Sequence, residues 1–352
     1  MNPFDTSFGF ANAAIGTFSS YSQASEFAEY NSSMRNTDAF VQDNWKMNAH
    51  LTIDYGMRFV HEVPEHDKFG RASNFLPELW DPTAAPALYA PGCANGVYPC
   101  SGTDRQAMNP ATGQFLGPGS SVAIGTIVPG SGDELNGLRQ LGQGIVDTGY
   151  LWPAIAFSPR FGLAYDVTGE QRVVVRGGAG LFFDRTAANQ TRAAGTNPPI
   201  SENVTLRYGT LQNLSSGLAI TGAPNIGGAW VYHSDDLPSS TQWNGGAQIA
   251  LPFDVALDAS YVGQHAFALP VGANINAVDF GAAFLPENQD PTLAASATPG
   301  ATALSTDLLR AMPGFGAVVQ NQQTGWRTYH SLQFSVNRRF RHGLAFGFNE
   351  TW

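Results

Sequence analysis

Period-two alternation of apolar and polar residues recurs along this chain, and it recurs in pairs of segments. From Leu51 to Phe59 the set Leu51, Ile53, Tyr55, Met57 and Phe59 interleaves with Thr52, Asp54, Gly56 and Arg58, which gives an extended ribbon one apolar and one polar face. The same reading fits Phe161, Leu163, Tyr165 and Val167 against Gly162, Ala164 and Asp166. It also fits Val255, Leu257, Ala259 and Tyr261 against Asp254, Ala256, Asp258 and Ser260. Near the end, Leu332, Phe334 and Val336 alternate with Gln333, Ser335 and Asn337, and Leu344, Phe346 and Phe348 with Ala345, Gly347 and Asn349. The pattern predicts strands in hairpins over 37–46 with 49–60, 159–168 with 171–184, 241–251 with 254–264, and 328–340 with 343–352. The segment 202–208 is a candidate ninth strand.

Turns inside these hairpins are short and centre on MNA, TGE, PF and RH, whereas the connections between hairpins, 62–158, 185–240 and 265–327, are long. In an up-and-down antiparallel sheet successive connections fall on opposite ends, so every short turn lies at one rim and every long loop at the other. Membrane barrels of the bacterial outer membrane have this asymmetry, with about 9–11 tilted residues per crossing. Trp45, Phe59, Phe161, Phe183, Trp243, Tyr261 and Trp352 lie near strand ends, where interfacial aromatic girdles sit. A soluble β-sandwich is also two-faced, and period two alone does not separate the two architectures. The long connections weigh against the sandwich, whose loops are usually short. The fold class expected is therefore all-β, an antiparallel transmembrane β-barrel portion of about eight strands, filling 1–352 as one partial barrel domain.

Composition points the same way. With 39 Gly, 23 Phe, 11 Tyr and 7 Trp against 13% charged residues, the chain favours strands and turns over long surface helices. A formal charge of -10 offers no basic patch for phosphates, so nucleic acid is not an expected partner. No run of about 18 apolar residues occurs, so strands must do any spanning. MNPFDTSFGF has neither the basic start nor the apolar core of a signal peptide, which suggests that the true beginning is missing. Cys93 and Cys100, in PGCANGVYPC, are the only cysteines. Two thiols so placed can close a small disulfide ring, which needs an oxidising compartment; the alternative is two free thiols in a loose loop.

The residues also carry a family resemblance. DAFVQDNWKMNAHLTIDYGMRF, from Asp38 to Phe59, resembles the barrel segment of TonB-dependent outer-membrane transporters of the Oar-like group, in which a phrase like FVQDxWK, a short turn and LTLxxGxRY recur. SPRFGLAYDV with VVVRGGAGLFFDR, then LPFDVALDASYVG, then YHSLQFSVNRRF with GLAFGFNETW follow in the same order, and FLPENQDPT (284–292) also looks like this group. The resemblance implies a longer protein with more strands, a plug in the lumen, a TonB-contacting segment, and often a small carboxypeptidase-regulatory-like domain. The sequence contains none of these, and it is expected to be a fragment that would meet the TonB complex only through absent parts.

A search for chemistry returns little. Gly177, Gly178 and Gly180 lack the GxGxxG spacing and the following helix of a dinucleotide site, and read as places where a strand bends or a neighbour approaches. HEVPEH, with His61, Glu62, Glu65 and His66, is broken by Pro64 and reads as a solvated loop rather than a zinc helix. Asp235 and Asp236 are adjacent and point apart, so they read as a loop turn. No nucleophile elbow is present, and neither enzyme activity, metal nor cofactor is expected. Asp54, Arg58, Asp166, Arg176 and Asp258 fall on the polar side of their strands. On a barrel they face the lumen, because a charge facing lipid near the midplane costs about 2–4 kcal/mol. The expected function is uptake of a scarce solute, such as a siderophore or an oligosaccharide, with outer-membrane lipid as a partner. The alternative is a surface binding or adhesion barrel without active transport, its Asn-, Gly-, Ser- and aromatic-rich loops gripping a polymer.

Overall fold

In the computed structural model, which describes residues 4–27, 29–234 and 236–352, the alternating segments pair as a single antiparallel meander. A short helix α1 (Gly9–Ala14) and strand β1 (Thr17–Ala24) come first. The wall then begins with β2 (Ser32–Lys46) and β3 (Leu51–Asp67). Four short strands follow within the first long connection: β4 (Ser73–Phe75), β5 (Ala90–Cys93), β6 (Arg105–Met108) and β7 (Leu138–Gln140). The second wall hairpin is β8 (Ala156–Asp166) with β9 (Val173–Phe183). The next connection carries β10 (Asn203–Thr210), β11 (Leu218–Ile220) and β12 (Ile226–Trp230). The wall closes its meander with β13 (Ser239–Leu251), β14 (Val255–Asn274), β15 (Val318–Arg341) and β16 (Leu344–Thr351).

Wall strands run β2-β3-β8-β9-β13-β14-β15-β16, and β12 lies parallel to the far end of β15. The register puts residues of one phase on a common face. Asn44, Asp54 and Gly162 lie in one row, as do Arg176, Gly246 and Ser260, and Gln248, Asp258 and Ser335. The opposite face carries Trp45, Tyr55, Phe59, Phe157, Phe161 and Tyr165, all of them exposed. The apolar phase therefore does not meet a second layer, which is the arrangement a sandwich would require.

Short turns gather at one rim. The His50 ring nitrogen Nδ1 lies 3.1 Å from the carbonyl of Asp166, linking the first two turns. Arg341 bonds Asp254 at 2.7 Å and Arg338 donates to the carbonyl of Phe253 at 2.8 Å, linking the last two. At the other rim the long connections fold together. Phe75 and Leu138 from the first, Ile226 and Ala229 from the second, and Met312 and Phe315 from the third share one buried cluster with Val318. Buried asparagines hold the backbone there. Asn276 donates to the carbonyls of Met312, Phe315 and Gly316, and Asn74 bonds both N–H and C=O of Trp230. Asn197 bridges the carbonyls of Ser73 and Gly227.

Several expectations need correction. The candidate ninth strand exists as β10, but it joins β1 and β11 in a separate three-stranded sheet and not the wall. HEVPEH is not a solvated loop: it is the far end of β3, with Glu62 and Glu65 buried. A register shift between Ser33 and Arg35 accommodates Pro64, which has no N–H to give to a ladder. Wall strands overrun the alternation, so the three long connections are shorter than the pattern implies. Asp235 lies outside the described residues, and Asp236 is exposed.

Candidate functional site

The polar face concentrates charge where the ends of β2, β3, β8 and β9 meet on the long-loop side. A concavity of about 370 Å³ opens there, lined by Asn36, Asp38, Arg58, Glu62, Arg160 and Asp184 among others. Period two fixes the convergence. Asp38 stands opposite Val60, Arg58 opposite Ser158 and Arg160 opposite Gly180, so alternate residues of successive strands point into the same space. Arg58 bonds Asp38 at 2.7 Å, a pair with both side chains partly in water. Arg160 lies over the Phe182 ring, its guanidinium carbon 4.8 Å from the centroid. Arg58 and Arg160 also border an adjoining hollow of about 230 Å³ with Phe40, Gln42 and Gly56.

Four of the five charged residues singled out from the alternation lie in the polar rows of the wall. Arg58 enters the concavity just described. Asp54 accepts a short hydrogen bond from Asn44 on β2. Arg176 and Asp258 both line a third hollow, of about 270 Å³ and nearer the short turns, with Asn244, Gln248 and Ser260. Asp166 is different. Its carboxylate folds back on the turn after β8 and accepts from the backbone N–H groups of Thr168, Gly169 and Gln171, so it caps a turn. Cys93 and Cys100 lie in the first long connection and are joined in a disulfide, their Cα atoms 5.9 Å apart.

Alternation missed Arg160 and Phe182, although a signal existed. Phe182 and Phe40 are large apolar residues on the polar phase, and they break the pattern at the concavity and at the adjoining hollow respectively.

The outer assembly has its own chemistry. A cleft of about 790 Å³ is bordered by Glu26, Phe27, Glu134, Ser201, Glu202 and Asn225. Tyr150 stacks on Trp230 at 4.7 Å, and burial, the largest influence, pushes its phenol up to about 12. Buried Asp67 ends β3. Burial pushes its carboxyl up, but backbone N–H groups of Arg71, Asn31 and Phe69 and the Arg71 charge outweigh that and hold it below the ordinary carboxylate value. Glu65 takes Arg192 at 3.2 Å and a short hydrogen bond from Ser32.

Among the described residues no cluster of three or more His, Cys, Asp or Glu could hold a metal. No helix of the described residues is long and apolar enough to cross a membrane, a statement that does not touch strands.

A family model described as "Outer membrane beta barrel domain" matches residues 2–352. Solved structures similar to this chain include the copper transporter OprC (9% identity, TM-score 0.36, 91% of this chain) and the outer membrane transporter YddB from Escherichia coli (11%, 0.31, 90%). The siderophore receptor PirA from Pseudomonas aeruginosa is another (8%, 0.31, 91%). The chain spans 30%, 30% and 56% of the lengths of these three. No curated protein matches the sequence.

Proposed function

This chain belongs to the outer membrane β-barrel domain family, and from that premise we propose that it forms part of the wall of a TonB-dependent transporter that takes up a scarce solute. It resides in the bacterial outer membrane. The observation that carries the reading is the two-faced meander. Its exposed aromatic and aliphatic phase suits acyl chains, and its other phase is polar, with Asp38, Arg58, Arg160, Arg176 and Asp258 in its hollows. The ordered likeness of its strand phrases to the Oar-like group supports active transport over a passive pore. The solute classes that suit the polar face and the cleft between the outer loops are siderophores and oligosaccharides.

The test compares cells carrying the whole gene with cells lacking it, using a panel of radiolabelled ferric siderophores and oligosaccharides. Loss of uptake of at least one solute on deletion, with the same loss when the proton-motive force is collapsed, is the expected result. Unchanged uptake across the panel would count against transport. Binding without uptake would favour the second reading, a surface-binding barrel, for which the 790 Å³ cleft in the outer assembly is the supporting observation.

A further inference from the structure

Phe40 stands on the polar face of β2, opposite Arg58, with 77% of its surface exposed. Across β3 and β8, Gly180 leaves the same face without a side chain. A Cβ at Gly180 would come within 3.0 Å of two Phe182 ring carbons and 3.5 Å of Cγ of Arg160. Glycine thus supplies a floor, the Phe182 ring lies on it, and the Arg160 guanidinium lies on the ring at 4.8 Å. A guanidinium held over a ring still has N–H groups to offer, in the fork that matches a carboxylate with two parallel hydrogen bonds. Arg58 is already engaged by Asp38, whereas no ion pair reaches Arg160 among the described residues. Arg160 borders both hollows and so stands at their junction, with Phe40 on the rim of the second.

We propose that this junction binds a carboxylate carried on a flat ring, with Arg160 taking the carboxylate through its N–H edge and Phe40 taking the face of the ring. Asp38, Glu62 and Asp184 line the same space, so a singly charged carboxylate meets less repulsion than a phosphate dianion. The carboxylate belongs to an incoming solute, because no protein side chain carries one on a flat ring. The proposal rests on that face looking into a lumen. It is tested by direct binding, so its failure leaves the uptake reading standing.

The test is fluorine NMR of 4-fluorobenzoate with the protein in detergent micelles, with 4-fluorobenzamide as the uncharged isostere and protein-free micelles as background. Saturable broadening of the acid is expected, with the amide weaker by about tenfold or more, the scale of one lost charge-assisted contact. Arg160→Gln weakens the acid by about as much, Arg160→Lys recovers only part because ammonium lacks the fork, and Phe40→Ala weakens it by about threefold. Absence of saturable broadening, equal broadening by acid and amide, or wild-type affinity in Arg160→Gln overturns the proposal. The acid–amide comparison uses the unaltered protein, so it stands even if a variant misfolds.

Discussion

Trp243 and Gly263 show how closely single residues are matched across the wall. They face each other directly in the β13–β14 register, and a Cβ on Gly263 would come 2.2 Å from indole carbon Cε2. The glycine is the space in which the indole lies, an aromatic covering a bare stretch of strand. Gly263→Ala forces the indole off its seat and is expected to lower stability by about 1–3 kcal/mol. The measurement is the urea midpoint of unfolding from detergent micelles, followed by tryptophan emission. At this scale the sequence was informative about phase and silent about partners. Alternation placed Asp54, Arg58, Arg176 and Asp258 on the polar face, but which residue of a neighbouring strand stands opposite depends on register, and that is set by turns and bulges. Arg160 over Phe182 is therefore a contact of register, and so is the indole over Gly263. Asp166 shows the converse: its phase was polar, yet the nearest donors were the N–H groups of its own turn.

Hairpins were legible as elements because their inner parts keep strict alternation, and their outer parts were not because bulges shift the phase. β14 continues to Asn274, ten residues past the end that alternation gave at 264, through register shifts between Ala266 and Leu269 and between Leu269 and Val271. Each extra residue sends the next side chains to the other face, so the period fades while the backbone remains paired. The outer assembly was illegible for another reason: much of its order comes from asparagines such as Asn74, Asn197 and Asn276, which look like loop residues and are buried. Asp67 ties β3 to that assembly through the N–H groups of Asn31, Phe69 and Arg71, at 2.6, 2.9 and 2.9 Å. Its folded pKa lies below the ordinary 3.8, so folding favours the ionised form. The contribution is complete above about pH 4 and is lost as pH falls through the lowered folded value. Asp67→Asn is expected to cost about 1–3 kcal/mol locally and to flatten that acid dependence. The check is protease cleavage between 68 and 155 as pH is lowered, with the wall hairpins staying intact.

For the molecule as a whole, the decisive quantity is apolar surface left in contact with solvent. Trp45, Tyr55, Phe157, Phe161, Phe346 and Phe348 lie exposed on one face of a single sheet, and apolar surface on that scale is not stable against water. Among the described residues the free edges of β2 and β16 have no strand partner, which adds unpaired backbone groups. The purified protein is expected to stay dispersed only above the critical micelle concentration and to aggregate on dilution below it, as read by light scattering. A monomeric species without detergent would contradict a lipid-facing wall.

The cluster in which Phe75, Ile226 and Phe315 meet has a further consequence for the cell's exterior. A change in one loop at this cluster must still fit the other two, so the three loops can vary there only together. Loop variation without that constraint is open to the exposed stretches 94–99 and 110–116, whose side chains belong to no buried cluster.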